Sequence, residues 1–146
     1  TSADAAGLAI FPGLVRYDEA YGSQPIGHAF RFTVRQTNRY VYPASHLTCD
    51  PMDGDTCPPF ALPMGARLRL KNSVVITGYP AHIQRIFQAM KTYGLIVADN
   101  GSDMYVQGTY DTRWDNGVLN PAFDDLVGDG QQRIHRVSSL AVPAVP

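Results

Sequence analysis

The chain has 146 residues, of which 45% are hydrophobic and 17% are charged, and its formal net charge is −1. A chain of this length typically forms one domain with a well-developed core, so we expect a single domain over residues 1–146. The basic residues form no stripe and the apolar runs are far shorter than the ~18 residues of a membrane helix, which argues against nucleic-acid partners and membrane insertion.

Three segments in the first half of the chain have the composition of extended strands: residues 28–34, 39–42 and 66–76. In the first, large apolar residues alternate with Ala29, Arg31 and Thr33, which predicts a strand that is buried on one face only. In the third, Leu68 and Leu70 alternate with basic residues. That pattern again predicts a strand with one face in water.

Cys49 and Cys57 are the only cysteines of the chain. The short loop between them is rich in Asp, Gly and Pro, so its ends can approach to the ~4.4–6.8 Å between Cα atoms that a disulfide needs. A zinc site usually has closer cysteine pairs and further ligands at fixed spacing. We therefore predict a disulfide and, with it, an oxidising compartment, either extracellular or periplasmic.

Residues 81–93 predict an amphipathic helix that packs on the sheet. Four large apolar side chains recur at helical spacing on one face: Ile83, Ile86, Phe87 and Met90. Pro80 suits the start of a helix and Gly94 suits its end. Three polar side chains of this helix are expected to lie in water: His82, Arg85 and Lys91.

Asn100-Gly101 separates two β-prone runs, residues 95–99 and 104–110, and this dipeptide is typical of a type I′ hairpin turn. A short helix near Asn120-Pro121 and an edge strand over residues 133–137 complete the prediction. The fold class is predicted to be mainly β, a sheet sandwich or jelly-roll-like fold with one packed helix at about 81–93. An α+β fold is the alternative.

Seven short segments follow one another along the chain: TSADAAGL, PGLVRYDE, HAFRFT, PASH, PMGARLRLK, AMKTYG and ADNGS. Together they resemble the C-terminal half of a functionally uncharacterised family of exported bacterial proteins. The resemblance extends to about Trp114, and the loop from Cys49 to Cys57 departs from it. It implies export and a further segment of the same precursor upstream of Thr1, and it implies no activity.

Three side chains are candidates for acid–base chemistry: His28, His46 and Asp99. Both histidines stand beside strand ends, but neither has a partner at a diagnostic spacing, and such histidines are more often structural. Asp99 and Asp111 would be a carboxylate pair for glycoside hydrolysis only if the chain bent sharply, because a straight strand separates them by about 30 Å. No phosphate loop or nucleophile motif is present, and we predict no cofactor.

Three acidic residues surround Gly54 and superficially resemble a calcium loop: Asp50, Asp53 and Asp55. Their spacing does not match the EF-hand pattern, and the later bidentate glutamate of that motif is absent. A turn capped by aspartate side chains is the favoured interpretation. We therefore predict no metal site.

Aromatic residues stand near several of the predicted strands: Tyr40, Tyr42, Tyr105, Tyr110 and Trp114. Aromatic faces beside acidic or amide groups are suited to sugar rings, although aromatics also fill β-sheet cores. We therefore predict a carbohydrate-active domain that binds glycans or belongs to a glycosidase-type enzyme, with Asp99, Tyr105 and Trp114 as the glycan-binding residues. The alternatives are a structural subunit of an extracellular assembly and the C-terminal piece of a larger exported enzyme with upstream catalytic residues.

Overall fold

The computed structural model describes residues 2–127 and the strand Ile134–Val137, so Thr1 and Arg133 lie outside the described residues. The helices are α1 (Tyr17–Ala20), α2 (Ala81–Thr92) and α3 (Asn116–Val127), with short 3-10 helices at Phe11–Gly13 and Pro51–Asp53. The strands are β1 (Phe30–Val34), β2 (Arg67–Leu70), β3 (Leu95–Asn100), β4 (Tyr105–Val106) and β5 (Ile134–Val137).

The described strands form one mixed sheet in the order β4-β1-β3-β2-β5. β1 and β3 are parallel neighbours, and the other three pairings are antiparallel. The domain is therefore α+β, which was the alternative prediction. The predicted sandwich or jelly-roll arrangement is wrong for the described residues, because helices and loops, and no second sheet, bury the faces of this sheet.

The predicted amphipathic helix is confirmed as α2. Its predicted apolar face is fully buried in the core: Ile83, Ile86, Phe87 and Met90. They join Phe30 and Phe32 of β1 in one hydrophobic cluster. This burial stabilises the helix on the sheet far more than its intrinsic propensity could.

His82, Arg85 and Lys91 of α2 are half-buried, so the expectation that these three side chains lie in water is wrong. Arg85 Nη1 donates to the carbonyl oxygen of Ala20 over 2.9 Å, and Lys91 Nζ donates to that of Val74 over 2.6 Å. His82 stacks on the Tyr21 ring with centroids 4.3 Å apart. Long polar side chains thus bury their stems and bond to backbone carbonyls beside the helix.

β1 is buried along its whole length, whereas alternation predicted burial of one face only. Phe30, Phe32 and Val34 point to the face opposite Arg31 and Thr33. The N-terminal segment covers Arg31, and the loop after β3 covers Thr33, whose Oγ1 donates to the carbonyl oxygen of Ser102 over 2.6 Å.

The predicted hairpin at Asn100-Gly101 is wrong. β3 and β4 pair with opposite edges of β1 and not with each other. The loop between them crosses the end of β1, where the amide nitrogen of Gly101 donates to the carbonyl oxygen of Val34. An Asn-Gly dipeptide favours a local turn, but it does not determine whether the strands before and after it pair with each other or lie on either side of a third strand.

α3 begins at Asn116, before the predicted start near Asn120-Pro121, and Pro121 lies inside it. The Asp115 carboxylate accepts a hydrogen bond from the amide nitrogen of Gly117 over 2.9 Å, which satisfies a free donor of the first turn. Phe123 of α3 packs edge-on against Phe87 of α2 with ring centroids 5.5 Å apart. Among the described residues, no helix has both the length and the apolar character to cross a membrane.

Candidate functional site

Arg31 is a buried arginine, the second residue of β1, and it bridges two carboxylates. Its Nε lies 3.3 Å from Asp4 Oδ2 and its Nη2 lies 3.5 Å from Asp99 Oδ2. A buried guanidinium needs such partners because removing its charge from water is costly. We call Asp4, Arg31 and Asp99 the Arg31 cluster.

Asp4 closes the inner side of the Arg31 cluster. Its side chain is 1% exposed. Its Oδ1 accepts hydrogen bonds from the amide nitrogens of Ala6 and Leu8 over 3.1 and 2.9 Å. Because it is enclosed and occupied by these donors, Asp4 fixes the N-terminal segment over the sheet and cannot reach a ligand.

Asp99 forms the outer side of the Arg31 cluster, and its side chain is 40% exposed. The pairing of β1 and β3 shifts after Phe32, so that Asp99 takes the position opposite Thr33. A regular register would have placed Ala98 there. The irregularity therefore brings an acidic side chain to the carboxyl end of two parallel strands, where sheets of α/β proteins commonly bind ligands.

Asn100, the residue after Asp99, pairs with Val34, and its side chain belongs to a hydrogen-bonded row on the opposite face of the sheet from Asp99. Asn100 Nδ2 donates to the carbonyl oxygen of Val34 over 3.2 Å, and Thr48 Oγ1 donates to Asn100 Oδ1 over 2.5 Å. Thr37 Oγ1 lies 2.8 Å from Thr48 Oγ1 and is itself buried. These hydrogen bonds fix the loop that contains Thr48 against the ends of β1 and β3.

Tyr105 lies on the other side of β1 and is 59% exposed. It pairs with Thr33, as Asp99 does from the opposite strand. Side chains in register on adjacent strands share a face, so Asp99 and Tyr105 flank Thr33 at two strand spacings, about 10 Å. We call Asp99 and Tyr105 the Asp99 surface.

Trp114 lies away from the Asp99 surface. It packs against Tyr17 with ring centroids 5.1 Å apart, and its Nε1 donates to the carbonyl oxygen of Thr109 over 2.9 Å. Because β4 is antiparallel to β1, the chain after β4 runs back towards the amino end of β1. The structure thus brings Asp99 and Tyr105 together and separates Trp114 from them.

His46 is exposed and lies between β1 and β2 in the chain. Its Nδ1 lies 2.8 Å from Ser45 Oγ. The amide nitrogens of Ser45 and His46 donate to the carbonyl oxygen of Ala6, whose own amide nitrogen donates to that of Ala98. The segment that contains His46 is therefore tied to β3 through the backbone of the N-terminal segment.

His28 lies two residues before β1 and pairs with Glu19 of α1. Its Nε2 lies 3.1 Å from Glu19 Oε2 and its Nδ1 lies 2.9 Å from the carbonyl oxygen of Ala29. Arg16 pairs with the other oxygen of Glu19. Partial burial raises the pKa of Glu19, but the bonds to His28 and Arg16 outweigh it and hold the pKa below its ordinary value of 4.5.

The predicted disulfide between Cys49 and Cys57 is confirmed, with Cα atoms 5.8 Å apart. Within this loop Asp50 Oδ1 accepts from the amide nitrogen of Met52, and Asp55 Oδ2 accepts from that of Asp50. Asp53 lies in the short 3-10 helix of the loop. A carboxylate oxygen of Asp55 and the sulfurs of Cys49 and Cys57 all lie within 4.8 Å of one another, which is close enough to hold a metal ion. The two sulfurs are bonded to each other, however, and supply no thiolate.

Four segments of the seven that carry the family resemblance meet around the Arg31 cluster. They contribute Asp4, Arg31, His46 and Asp99. Comparison with protein-family models, curated proteins and solved structures gave no match for this chain. The resemblance therefore stays a prediction, and functional inference rests on the geometry.

Sequence patterns identified Asp99, Tyr105 and His46 but missed the buried partners Asp4 and Arg31. Arg31 alternates with phenylalanines in β1 and was assigned to the solvated face. The sequence did contain a signal, because Arg31 stands between two phenylalanines of an apolar strand. If another segment covers the face on which such an arginine lies, the arginine needs a carboxylate partner. No spacing rule identifies that partner.

Proposed function

We propose that this chain is an exported glycan-binding domain and that the Asp99 surface binds the sugar. The observation that carries the proposal is the fixed Asp99 carboxylate, held by Arg31 and half open to solvent, on the same face as the exposed Tyr105 ring. Sugars are commonly held by a carboxylate or amide that bonds to hydroxyls and by an aromatic ring that contacts the C–H face. Thr33 lies between the two residues and is covered by the loop at Ser102, so a sugar that contacts both side chains would lie across this loop.

Binding is favoured over hydrolysis by the state of the second carboxylate. Glycoside hydrolysis generally needs two carboxyl groups, about 5–10 Å apart, that both reach the substrate. Asp4 is the other carboxylate of the Arg31 cluster, and it is enclosed and bonded to backbone amides. A binding role uses only the open group, Asp99.

The disulfide supports the exported location. Disulfides persist in oxidising compartments and are rare in the cytosol. This one closes the loop next to Thr48, whose hydroxyl donates to the side chain of Asn100, the residue after Asp99 in β3. An extracellular or periplasmic site of action is where polysaccharides are encountered.

Retention on a panel of insoluble polysaccharides tests the proposal. Asp99→Ala and Tyr105→Ala should each weaken retention by roughly three- to tenfold, the amount expected from one hydrogen bond or one ring contact. Tyr110→Ala is the matched control, because Tyr110 is 94% exposed and lies beyond Gly108, towards the amino end of β1. Retention of Tyr110→Ala and the thermal midpoints of both tyrosine variants should stay near those of the unmutated domain. Asp99→Ala also removes a partner of the buried Arg31, so its thermal midpoint should fall.

The proposal is wrong if no polysaccharide retains the unmutated domain, or if Tyr110→Ala weakens retention as much as Tyr105→Ala. One observation favours a second candidate, a subunit of an extracellular assembly. Phe60 is 97% exposed, and Met52 and Tyr42 are also exposed. In that case, particle size by light scattering should rise with protein concentration, and Phe60→Ser should abolish the rise.

A further inference from the structure

A groove of about 440 Å³ runs along the outer side of α2, near the amino end of β1. Its apolar lining includes Ile26, Ile76 and Ala89, and its polar lining includes Ser23, Gln84 and Gln88. The volume lies within the range of small-molecule sites. The groove is separate from the Asp99 surface, which lies at the carboxyl end of β1 and β3.

Arg85 is the one charged residue that lines this groove. It is half-buried, and its Nη1 donates to the carbonyl oxygen of Ala20 over 2.9 Å. Among the residues that the structure describes, no carboxylate pairs with it, in contrast to Arg16, Arg31, Arg35 and Arg113. A partly buried guanidinium without a counter-charge favours an anionic ligand.

The groups around Arg85 indicate which anion fits. Gln84 and Gln88 lie one helical turn apart on the groove side of α2, and Thr92 continues the same row. Gln84 Nε2 donates to the carbonyl oxygen of Tyr79 over 2.6 Å, which leaves its Oε1 as an acceptor for a hydroxyl. Ile76, which is partly exposed, offers an apolar contact to the C–H face of a ring.

We infer that this groove binds a uronic acid, a sugar whose carboxylate pairs with Arg85 and whose hydroxyls bond to the glutamine amides. The guanidinium fork matches a carboxylate with two parallel hydrogen bonds. The inference does not depend on the Asp99 surface, so either can fail without the other.

Titration of the ¹⁵N-labelled domain with sodium glucuronate, followed by NMR, tests the inference. Shifts should concentrate on Gln84, Arg85 and Gln88. Glucose, which has a similar ring and no carboxylate, and acetate, which has a carboxylate and no ring, should each bind at least about tenfold more weakly, as loss of a charge-assisted contact predicts.

Two variants separate the ligand contact from folding. Arg85→Gln should weaken glucuronate binding at least about tenfold. Gln88→Glu changes an exposed residue and places a carboxylate beside Arg85, so it should abolish binding in a folded protein. Gln36→Glu, the same change at an exposed glutamine beyond the far end of β1, should bind normally.

Three outcomes would overturn the inference: glucose binding as tightly as glucuronate, acetate binding as tightly as glucuronate, or unchanged glucuronate binding in Gln88→Glu. If Arg85→Gln fails to fold, the result for Gln88→Glu decides alone. Loss of polysaccharide retention in Asp99→Ala has no bearing on this site.

Discussion

Gly65 and Gly54 both have positive φ angles, +79° and +87°, but their surroundings differ. A Cβ at Gly65 would lie 2.0 Å from the carbonyl oxygen of Val41, whereas a Cβ at Gly54 would meet no heavy atom within 4 Å. Gly65 also joins β3 to the segment before β2, because its amide nitrogen donates to the carbonyl oxygen of Val97. Positive φ strains both positions, and only Gly65 adds a backbone clash.

We therefore expect Gly54→Ala to lower the free energy of unfolding by about 1 kcal/mol, the cost of left-handed backbone for a residue with a side chain. Gly65→Ala should cost about 2 kcal/mol more, because Val41 must move. Urea denaturation of both variants measures the difference. Equal losses would show that the contact with Val41 relaxes without cost.

Glu19 should make the free energy of unfolding depend on pH in the acidic range. Its pKa is lower in the folded protein than its ordinary value of 4.5, so ionised Glu19 stabilises the fold above that pH. The contribution is lost as the pH falls below about 4.5 and through the folded pKa, and it should be at most about 1 kcal/mol for a partly exposed pair. The unmutated domain should therefore exceed Glu19→Gln in stability near neutral pH and approach it near pH 3.

Denaturant midpoints of the unmutated domain and of Glu19→Gln, taken from neutral pH down to about pH 3, measure the difference in stability between them. A gap that widens in acid would contradict the assignment, because the sign of the linkage would be reversed.

α2 owes its position to its buried face, and Phe87 is the largest side chain of that face. The Phe87 ring packs edge-on against Tyr79 and Phe123, with centroids 5.1 and 5.5 Å away. Phe87→Ala should cost about 3–5 kcal/mol through lost burial and the cavity that remains. Gln88→Ala, at the next and exposed position, should change stability by less than about 0.5 kcal/mol.

Denaturant unfolding of the two variants decides the point. A loss below about 1 kcal/mol for Phe87→Ala would mean that the space it leaves collapses fully or that the helix packs differently.

β1 has the alternating sequence of a strand with one buried face, yet both of its faces are buried. Alternation gave the correct faces for Phe30 and Phe32. It could not show that the opposite face is covered as well, because the cover comes from residues 27 and 69 positions away, Asp4 and Ser102. An arginine on a strand marks a solvated face unless a distant segment supplies its counter-charge.

At the scale of the whole molecule, Arg31 holds three parts of the chain together: the N-terminal segment, β1 and β3. Arg31→Met should cost about 3 kcal/mol or more, because it leaves the enclosed Asp4 carboxylate without a counter-charge. In the double variant Asp4→Asn/Arg31→Met no buried charge remains. Its loss should therefore be smaller than the sum of the two single losses by at least about 1 kcal/mol.

The four proteins of this cycle can be compared by denaturant unfolding. Additive losses would mean that Asp4 and Arg31 do not interact in solution, and the Arg31 cluster would then not fix the position of Asp99.

The sequence by itself determined what depends on neighbours along the chain: the buried face of α2, the alternation of β2, and the disulfide that closes a short loop. Each is fixed by a repeat of 3.6 or 2 residues or by a loop whose ends are necessarily close. Only the tertiary structure decided that β1 lies between β3 and β4, because an Asn-Gly turn and a loop that crosses another strand have the same local signals. The tertiary structure also decided the site. Residue type alone could suggest Asp99 and Tyr105. Their shared face and the ion pair between Arg31 and Asp99 arise from strand order and register, which side-chain periodicity does not encode.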